Sequence, residues 1–264
     1  MADLGVTDIN DIFRALAGNV ARLMLTESWL GRWSHYFEPI VCDTPELLRE
    51  AQSLVYNVYA LELHWDEPAD YVDGRLVDPW DKRAISMMTG HRPTGQLSSH
   101  VRVVLPDPND QTFSFQKYCP EEAIRQVEAK LGKTIFNTGE VSSACVPGRF
   151  RRRCREYLYP IGDVHQLSSK AEERRSFSSI SEGVYLQAIA VCLEHELSGA
   201  VCVLNRAHAR LIKSKIPLIE LELILPFECE GPSNIYWLGV EKLLTHRRSS
   251  VEDTFNSLAK ILTR

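Results

Sequence analysis

Two strand-like runs, AISMMTG (84–90) and QLSSHVRVVLP (96–106), stand on either side of HRPTG (91–95), a turn carrying Pro93 and Gly95. A connection of that length and composition closes a β-hairpin, so the chain must contain an antiparallel pair. Around the hairpin the hydrophobic period switches repeatedly between helix and strand. Residues 7–27 space Ile9, Ile12, Phe13, Leu16, Val20 and Leu23 as an amphipathic helix, and HYFEPIVCD (35–43) reads as a strand. Thr44-Pro45 gives an N-cap and a first-turn proline to a helix through LLREAQSLVYNVYALEL (47–63). PEEAIRQVEAKLG (120–132) is a helix closed by Gly132. EVSSACV (140–146) is a strand that passes through Pro147-Gly148 into a helix over 149–158.

Farther on, VYLQAIAVCLEHEL (184–197) is a helix with Val184, Ala188 and Cys192 on one face, and a capping box, Ser179-x-x-Glu182, precedes it. GAVCVLN (199–205), LIELELILP (218–226) and SNIYWLGV (233–240) are strands, with helices over 206–215 and 251–264. Helices and strands intermix with short connections, which predicts an α/β class with a mixed sheet in one domain.

With 264 residues, 44% hydrophobic and 25% charged, the chain has the composition of a soluble globular protein. No apolar run reaches the ~18–20 residues of a membrane span, and the acidic start, MADLGVTDIND, lacks the features of a secretory signal. Seven scattered cysteines without a C-x-x-C pair fit reduced thiols in a cytoplasm. G-x-G-x-x-G, Walker, H-E-x-x-H and G-x-S-x-G motifs are all absent, and the histidines are dispersed, so no metal site is expected.

Three places can carry chemistry. Asp78-Pro79-Trp80-Asp81 sets two carboxylates three residues apart in an irregular loop. They can hold a cation, an ammonium group or an arginine, or be turn formers beside a proline. Arg102 interrupts an apolar strand. Facing inward it needs a carboxylate partner, and facing outward it needs none. The third place is 140–158, where Glu140 heads a strand and Arg149, Arg151, Arg152, Arg153 and Arg155 crowd the start of the next helix, in a chain of net charge −5. Arginines oppose the dipole at a helix N-terminus, and become favourable there when an anion or an acidic partner surface is present. A solvated basic face is the plain alternative. The acidic balance and the single interleaved aromatic, Phe150, argue against nucleic acid.

In order along the chain, LVYNVYALELHW (54–65), VDPWD (77–81), VRVVLP (101–106) and EVSSACVPGRFRRR (140–153) resemble a known set of enzymes. They are similar to the acyltransferases associated with exosortase (PEP-CTERM) gene sets, to long-chain N-acyl amino acid synthases and, more distantly, to acyl-homoserine-lactone synthases. The resemblance covers roughly residues 36–245. Four polar positions of that pattern differ: Val55 and Ser143 stand where the family has arginines, Leu76 where it has a glutamate, and Ala84-Ile85-Ser86-Met87 where it often has S-x-H.

The resemblance implies a GNAT-like N-acyltransferase fold, a twisted mixed sheet flanked by helices, over 35–264, after an N-terminal helical extension over 1–34. It implies direct acyl transfer from an acyl-carrier-protein or coenzyme A thioester to the amine of an amino acid or related molecule, with no permanently bound cofactor. Glu140 would accept the amine's proton, or else brace Arg102 in a salt bridge. Asp78 and Asp81 would position the amine substrate through neighbouring arginines. Backbone N–H groups around Cys145, Val146 and Gly148 would meet the acyl donor and its oxyanion. The donor's pantetheine phosphate, or the acidic face of a carrier protein, would lie against Arg149, Arg151, Arg152, Arg153 and Arg155. Two alternatives remain: a homoserine-lactone-type synthase, and a non-catalytic protein of the same fold that binds a lipid or an acyl carrier.

Overall fold

A computed structural model describes residues 33, 35–71, 73–110, 112–117, 121–132, 137–151, 179–215, 220–228 and 232–240. The helices expected over 7–27 and 251–264 lie outside the described residues, as does the helix expected over 149–158 beyond Arg151. The chain forms two compact units, one built from 1–105 and 140–191, the other from 106–139 and 192–264.

In the first unit, strands β1 (Phe37–Val41), β2 (Ala84–His91), β3 (Gln96–Val104) and β4 (Thr138–Cys145) pair antiparallel in that order. The β2–β3 hairpin closes where the amides of Thr94 and Gly95 donate to the His91 carbonyl, with Gly95 at φ +66°. Glycine takes that left-handed conformation without the steric cost a side chain adds. Helix α1 (Pro45–Tyr56) starts as its sequence dictates: the Thr44 hydroxyl accepts from the Leu47 amide at 3.2 Å, and Pro45 fills the first turn. The helix then widens into a π-helical turn, Asn57–Glu62, where a single continuous α-helix was expected. Such turns change which side chains share a face, and often do so at functional sites.

After β4 comes α3 (Gly148–Arg151), short within the described residues, and then α4 (Ile180–Glu194). Every residue of α4 from Glu182 to Leu193 is buried, not just the face of Val184, Ala188 and Cys192. The reason is legible in its composition: Gln187 is the one polar side chain between Gly183 and Glu194 apart from the Tyr185 hydroxyl. The Gln187 amide donates to the Met88 carbonyl at 3.1 Å and the Thr89 hydroxyl at 3.0 Å, which fixes the helix to β2, while its Oε1 meets no hydrogen-bond partner among the described residues. In the second unit, β5 (Gly199–Asn205), β7 (Pro232–Gly239) and β6 (Glu220–Glu228) pair antiparallel in that order. Helix α2 (Glu121–Leu131) joins β6 through Lys130 and Glu222 at 3.0 Å, and α5 (Arg206–Lys215) follows β5. All these ladders are antiparallel. Among the described residues no helix is long and apolar enough to cross a membrane.

Candidate active site

The two aspartates and the strand arginine meet. Asp78 caps the short 3-10 turn Pro79–Arg83, accepting from the Trp80 amide at 2.9 Å, while the Asp81 carboxylate accepts from the Asp78 amide at 3.3 Å. That reciprocal capping box aims both carboxylates inward. Arg102, on the inner face of β3, reaches Asp78 at 2.7 Å and Asp81 at 2.6 Å. Its remaining donors go to the Ser142 hydroxyl on β4, at 3.0 and 2.9 Å. Burial alone would lower the guanidinium's proton affinity, but Asp78 and Asp81 outweigh it and hold it above its usual range. Gln52 of α1 completes the group by donating to Asp81 at 2.9 Å. Of the readings the spacing left open, the aspartate pair therefore binds an arginine, and Arg102 faces inward.

Glu140 lies two residues before Ser142 on β4 and so shares its face. It is buried, 2% exposed, across from Val104 in the ladder. Arg102's ion pairs among the described residues run to Asp78 and Asp81 rather than to Glu140.

Beyond Ser142 the β3–β4 pairing breaks step: Arg102 faces Ser142, but His100 already faces Cys145. Ser143 and Ala144 are thereby squeezed opposite the single residue Val101, a β-bulge, and Ser143 takes φ +51°. The irregularity falls just ahead of Cys145, which is back in register opposite His100. Its thiol packs with Leu54, Val55 and Val58, and burial pushes it up to about 12. At neutral pH it is a thiol, not a nucleophilic thiolate.

Gly148 is buried, and its amide donates to the Glu62 carboxylate at 2.7 Å. A Cβ there would meet that carboxylate at 3.0 Å, so a larger residue would have to push the Glu62 carboxylate back by a few tenths of an ångström. Glu62 also pairs with Arg151 at 2.7 Å. The chain's own carboxylate thus answers part of the positive charge that the sequence assigned to an external anion. Arg149 differs: its guanidinium donates to the Leu97 carbonyl at 2.9 Å and sits 5.4 Å from the Phe150 ring centroid, and its Nε has no partner among the described residues. Burial lowers its proton affinity and Glu62 raises it. Arg152, Arg153 and Arg155 lie outside the described residues.

Three residues that the sequence did not single out complete the site: Tyr59, Glu62 and His100. The His100 Nδ1 lies 2.9 Å from the Ser143 carbonyl, so that nitrogen carries the proton and the ring is a donor there. Burial lowers His100 from the usual 6.5 to about 4, Arg102 adding to the effect against the opposing pull of the Ser143 bond and Asp81. A folded value below the unfolded one means that the neutral ring's contribution is complete above the unfolded value and is lost as pH falls through the folded one. Between pH 7.5 and 4.5 this residue should therefore cost the wild type about 2–3 kcal/mol. Urea melts at the two pH values check it: the loss should be smaller by that amount in His100→Asn, which does not titrate.

His100, Arg102, Asp81, Ser86 and Gln52 line a cavity of about 10 Å³, room for one water, together with Ala51, Val55, Leu76 and Ser143. Three of the four positions at which the chain departs from the resembling families therefore converge on one small space, and the fourth stretch reaches it through Ser86. Among the described residues no group of three or more His, Cys, Asp or Glu side chains could hold a metal ion.

No protein-family description matches the chain, and no curated protein sequence does. Among solved structures, that of the acyl-homoserine-lactone synthase LasI aligns with a TM-score of 0.53 at 14% identity, over 78% of this chain and 91% of LasI. Weaker likenesses include TofI, crystallised with an inhibitor and MTA (TM-score 0.48, 13% identity, 77% and 91% covered). FeeM, an N-acyl amino acid synthase from uncultured soil microbes, is a third (0.46, 13%, 78% and 92%). The likeness to LasI is one of fold. The chain has an α/β fold of the GNAT-like kind, with its sheet flanked by helices.

Proposed function

We propose that the chain is an N-acyltransferase that moves a fatty acyl group from an acyl-carrier-protein or coenzyme A thioester to the amine of an amino acid or related small molecule. The observation that supports this most is the Asp78–Arg102–Asp81 group, a buried arginine between two half-buried aspartates, tied through Ser142 to a strand that bulges at once afterwards, within a LasI-like fold. The amine nitrogen attacks the thioester carbonyl carbon, and the carbonyl oxygen becomes an oxyanion met by backbone N–H groups of Ala144, Cys145 and Val146. Glu140 takes the proton that the nitrogen sheds. The C–S bond then breaks, the thiolate is protonated, and an amide and a free thiol leave. Cys145, held as a buried thiol, suits direct transfer without an acyl-enzyme. Asp78 and Asp81 act through Arg102, shaping the amine side of the site instead of meeting substrate.

The donor's phosphate falls to Arg149, helped by Arg152, Arg153 and Arg155. Arg149→Gln should weaken binding of the acyl donor about tenfold, more at low salt than at high. Arg151→Gln should change it less, because Glu62 already neutralises that charge. Titration of acyl-CoA and of acyl carrier protein against both variants checks the order. Equal effects would return the cluster to a solvated helix face.

The convergence of Val55, Leu76 and Ser143 on one cavity favours a second reading, a lipid- or acyl-carrier-binding protein that has lost catalysis. It also weakens a homoserine-lactone-type synthase, which would need the two arginines. Incubating the purified protein with acyl thioesters and an amino acid mixture separates these. Amine-dependent release of free thiol, with an N-acyl product identified by mass spectrometry, supports transfer. Donor binding with no release under any amine supports the binding protein.

A further inference from the structure

The segment from Ser143 to Arg151 is gripped at successive points by side chains from elsewhere in the first unit. His100 donates to the Ser143 carbonyl at 2.9 Å and the Tyr59 hydroxyl donates to the Ala144 carbonyl at 3.2 Å. Glu62, three residues beyond Tyr59 in the same π-helical turn, accepts from the Gly148 amide at 2.7 Å. Ser143 is held in a left-handed conformation that a serine does not choose by itself, so the surroundings impose it. A trans peptide is planar, with its C=O and N–H pointing in opposite directions. Pinning the Ser143 carbonyl on His100 therefore turns the Ala144 N–H away from His100, and pinning the Ala144 carbonyl on Tyr59 turns the Cys145 N–H away from Tyr59.

We propose that His100 and Tyr59 are positioning residues that fix the direction of the bulge's N–H groups, aiming them at the oxygen of the acyl donor's carbonyl. The proposal rests on the acyl-transfer reading for its purpose, though not for its geometry. Neither residue touches the reacting atoms. His100 is buried and Tyr59 half-buried; burial raises the Tyr59 phenol above its usual range, so its hydroxyl stays a donor, and the Ser143 carbonyl holds a proton on His100 Nδ1 whatever the charge of the ring. Trp65 packs edge-on to Tyr59 at 5.2 Å, and its amide donates to the Tyr59 carbonyl at 2.8 Å, which holds the phenol in place. An oxyanion donor works only when it is already aimed, since reorienting it during the reaction would consume the stabilisation.

The test uses His100→Leu and Tyr59→Phe, which remove one donor each, and His100→Asn, whose amide N–H can stand where Nδ1–H stood. In the free protein, amide exchange at Ala144 and Cys145 should quicken about tenfold or more in the first two variants and stay near wild type in His100→Asn. With an acyl thioester and a productive amine, kcat should fall about tenfold to hundredfold in the first two while KM for the donor holds, and His100→Asn should recover most of the loss. Unchanged exchange in both donor-less variants overturns the proposal whatever the activity. Wild-type transfer with undiminished kcat in both overturns it as well. Faster exchange in a protein that transfers no acyl group upholds the grip on the bulge and overturns the acyl-transfer reading alone.

Discussion

Glu140→Gln should lower turnover by about 10²–10⁴-fold while leaving acyl-donor binding nearly intact, the loss expected when the proposed general base is replaced by a group of the same shape that cannot take a proton. The expectation follows from position. Glu140 is buried on β4, on the same face as Ser142, whose hydroxyl accepts from Arg102. It therefore belongs to the wall that carries the Asp78–Arg102–Asp81 group, on the strand that reaches the bulge three residues later. The proposed oxyanion donors begin four residues farther along the same strand, about 13 Å, a gap that an ordered water has to bridge for Glu140 to take the amine's proton. Arg102's ion pairs go to Asp78 and Asp81, which removes bracing of Arg102 as the rival role for Glu140. Steady-state kinetics with saturating donor, alongside a thermal melt, decide between base and strut. A base loses kcat with its melt unchanged. A strut loses stability with activity per folded molecule preserved, and wild-type behaviour in both measurements excludes each role.

The sequence made some of this visible and hid the rest for physical reasons. The hairpin, the N-cap at Thr44 and the Asp78/Asp81 pair are local: turn residues, a cap and a spacing lie within a few positions of each other, and the structure has each where the pattern placed it. Arg102 was legible as an anomaly, a charge in an apolar run, and such a charge must find partners if it is buried. Which partners it finds is a matter of register between β3, β4 and the 79–83 turn, and no local pattern encodes that. Tyr59 and Glu62 escaped for a different reason. A 3.6-residue period carried through 47–63 sends them to particular faces, and the π-helical turn at Asn57–Glu62 re-aims them toward Ala144 and Gly148. His100 could have been suspected from its place two residues before Arg102 on one strand. What makes it matter is the bulge opposite, produced by two residues of β4 facing one of β3. The arginine cluster shows the converse: its charge was plain in the sequence, but Glu62, 89 positions from Arg151, answers part of it.

Removing the charge from Arg102 should be the most damaging single change to stability among the site residues. Its side chain is 4% exposed and holds two carboxylates that are themselves 14% and 11% exposed. Arg102→Met keeps most of the apolar stem and deletes the guanidinium, leaving Asp78 and Asp81 near each other with no cation between them and the Ser142 hydroxyl without its donor. Breaking a buried pair from one side typically costs about 3–5 kcal/mol, because the surviving charge stays desolvated and uncompensated. For a chain of this size that corresponds to a fall in Tm of roughly 10 °C. The triple variant Arg102→Met, Asp78→Asn, Asp81→Asn should recover a good part of the loss, since its carboxamides bring no charge into the interior and Asp78's capping contact to Trp80 can be kept by an asparagine oxygen. The recovery separates a charge effect from a packing effect. A triple variant no more stable than Arg102→Met would mean that the arginine stem, not its charge, supports the site. An Arg102→Met protein melting within a degree or two of wild type would mean that water reaches the three side chains in solution, and the group would then lose its claim to shape a dry acyl-transfer site.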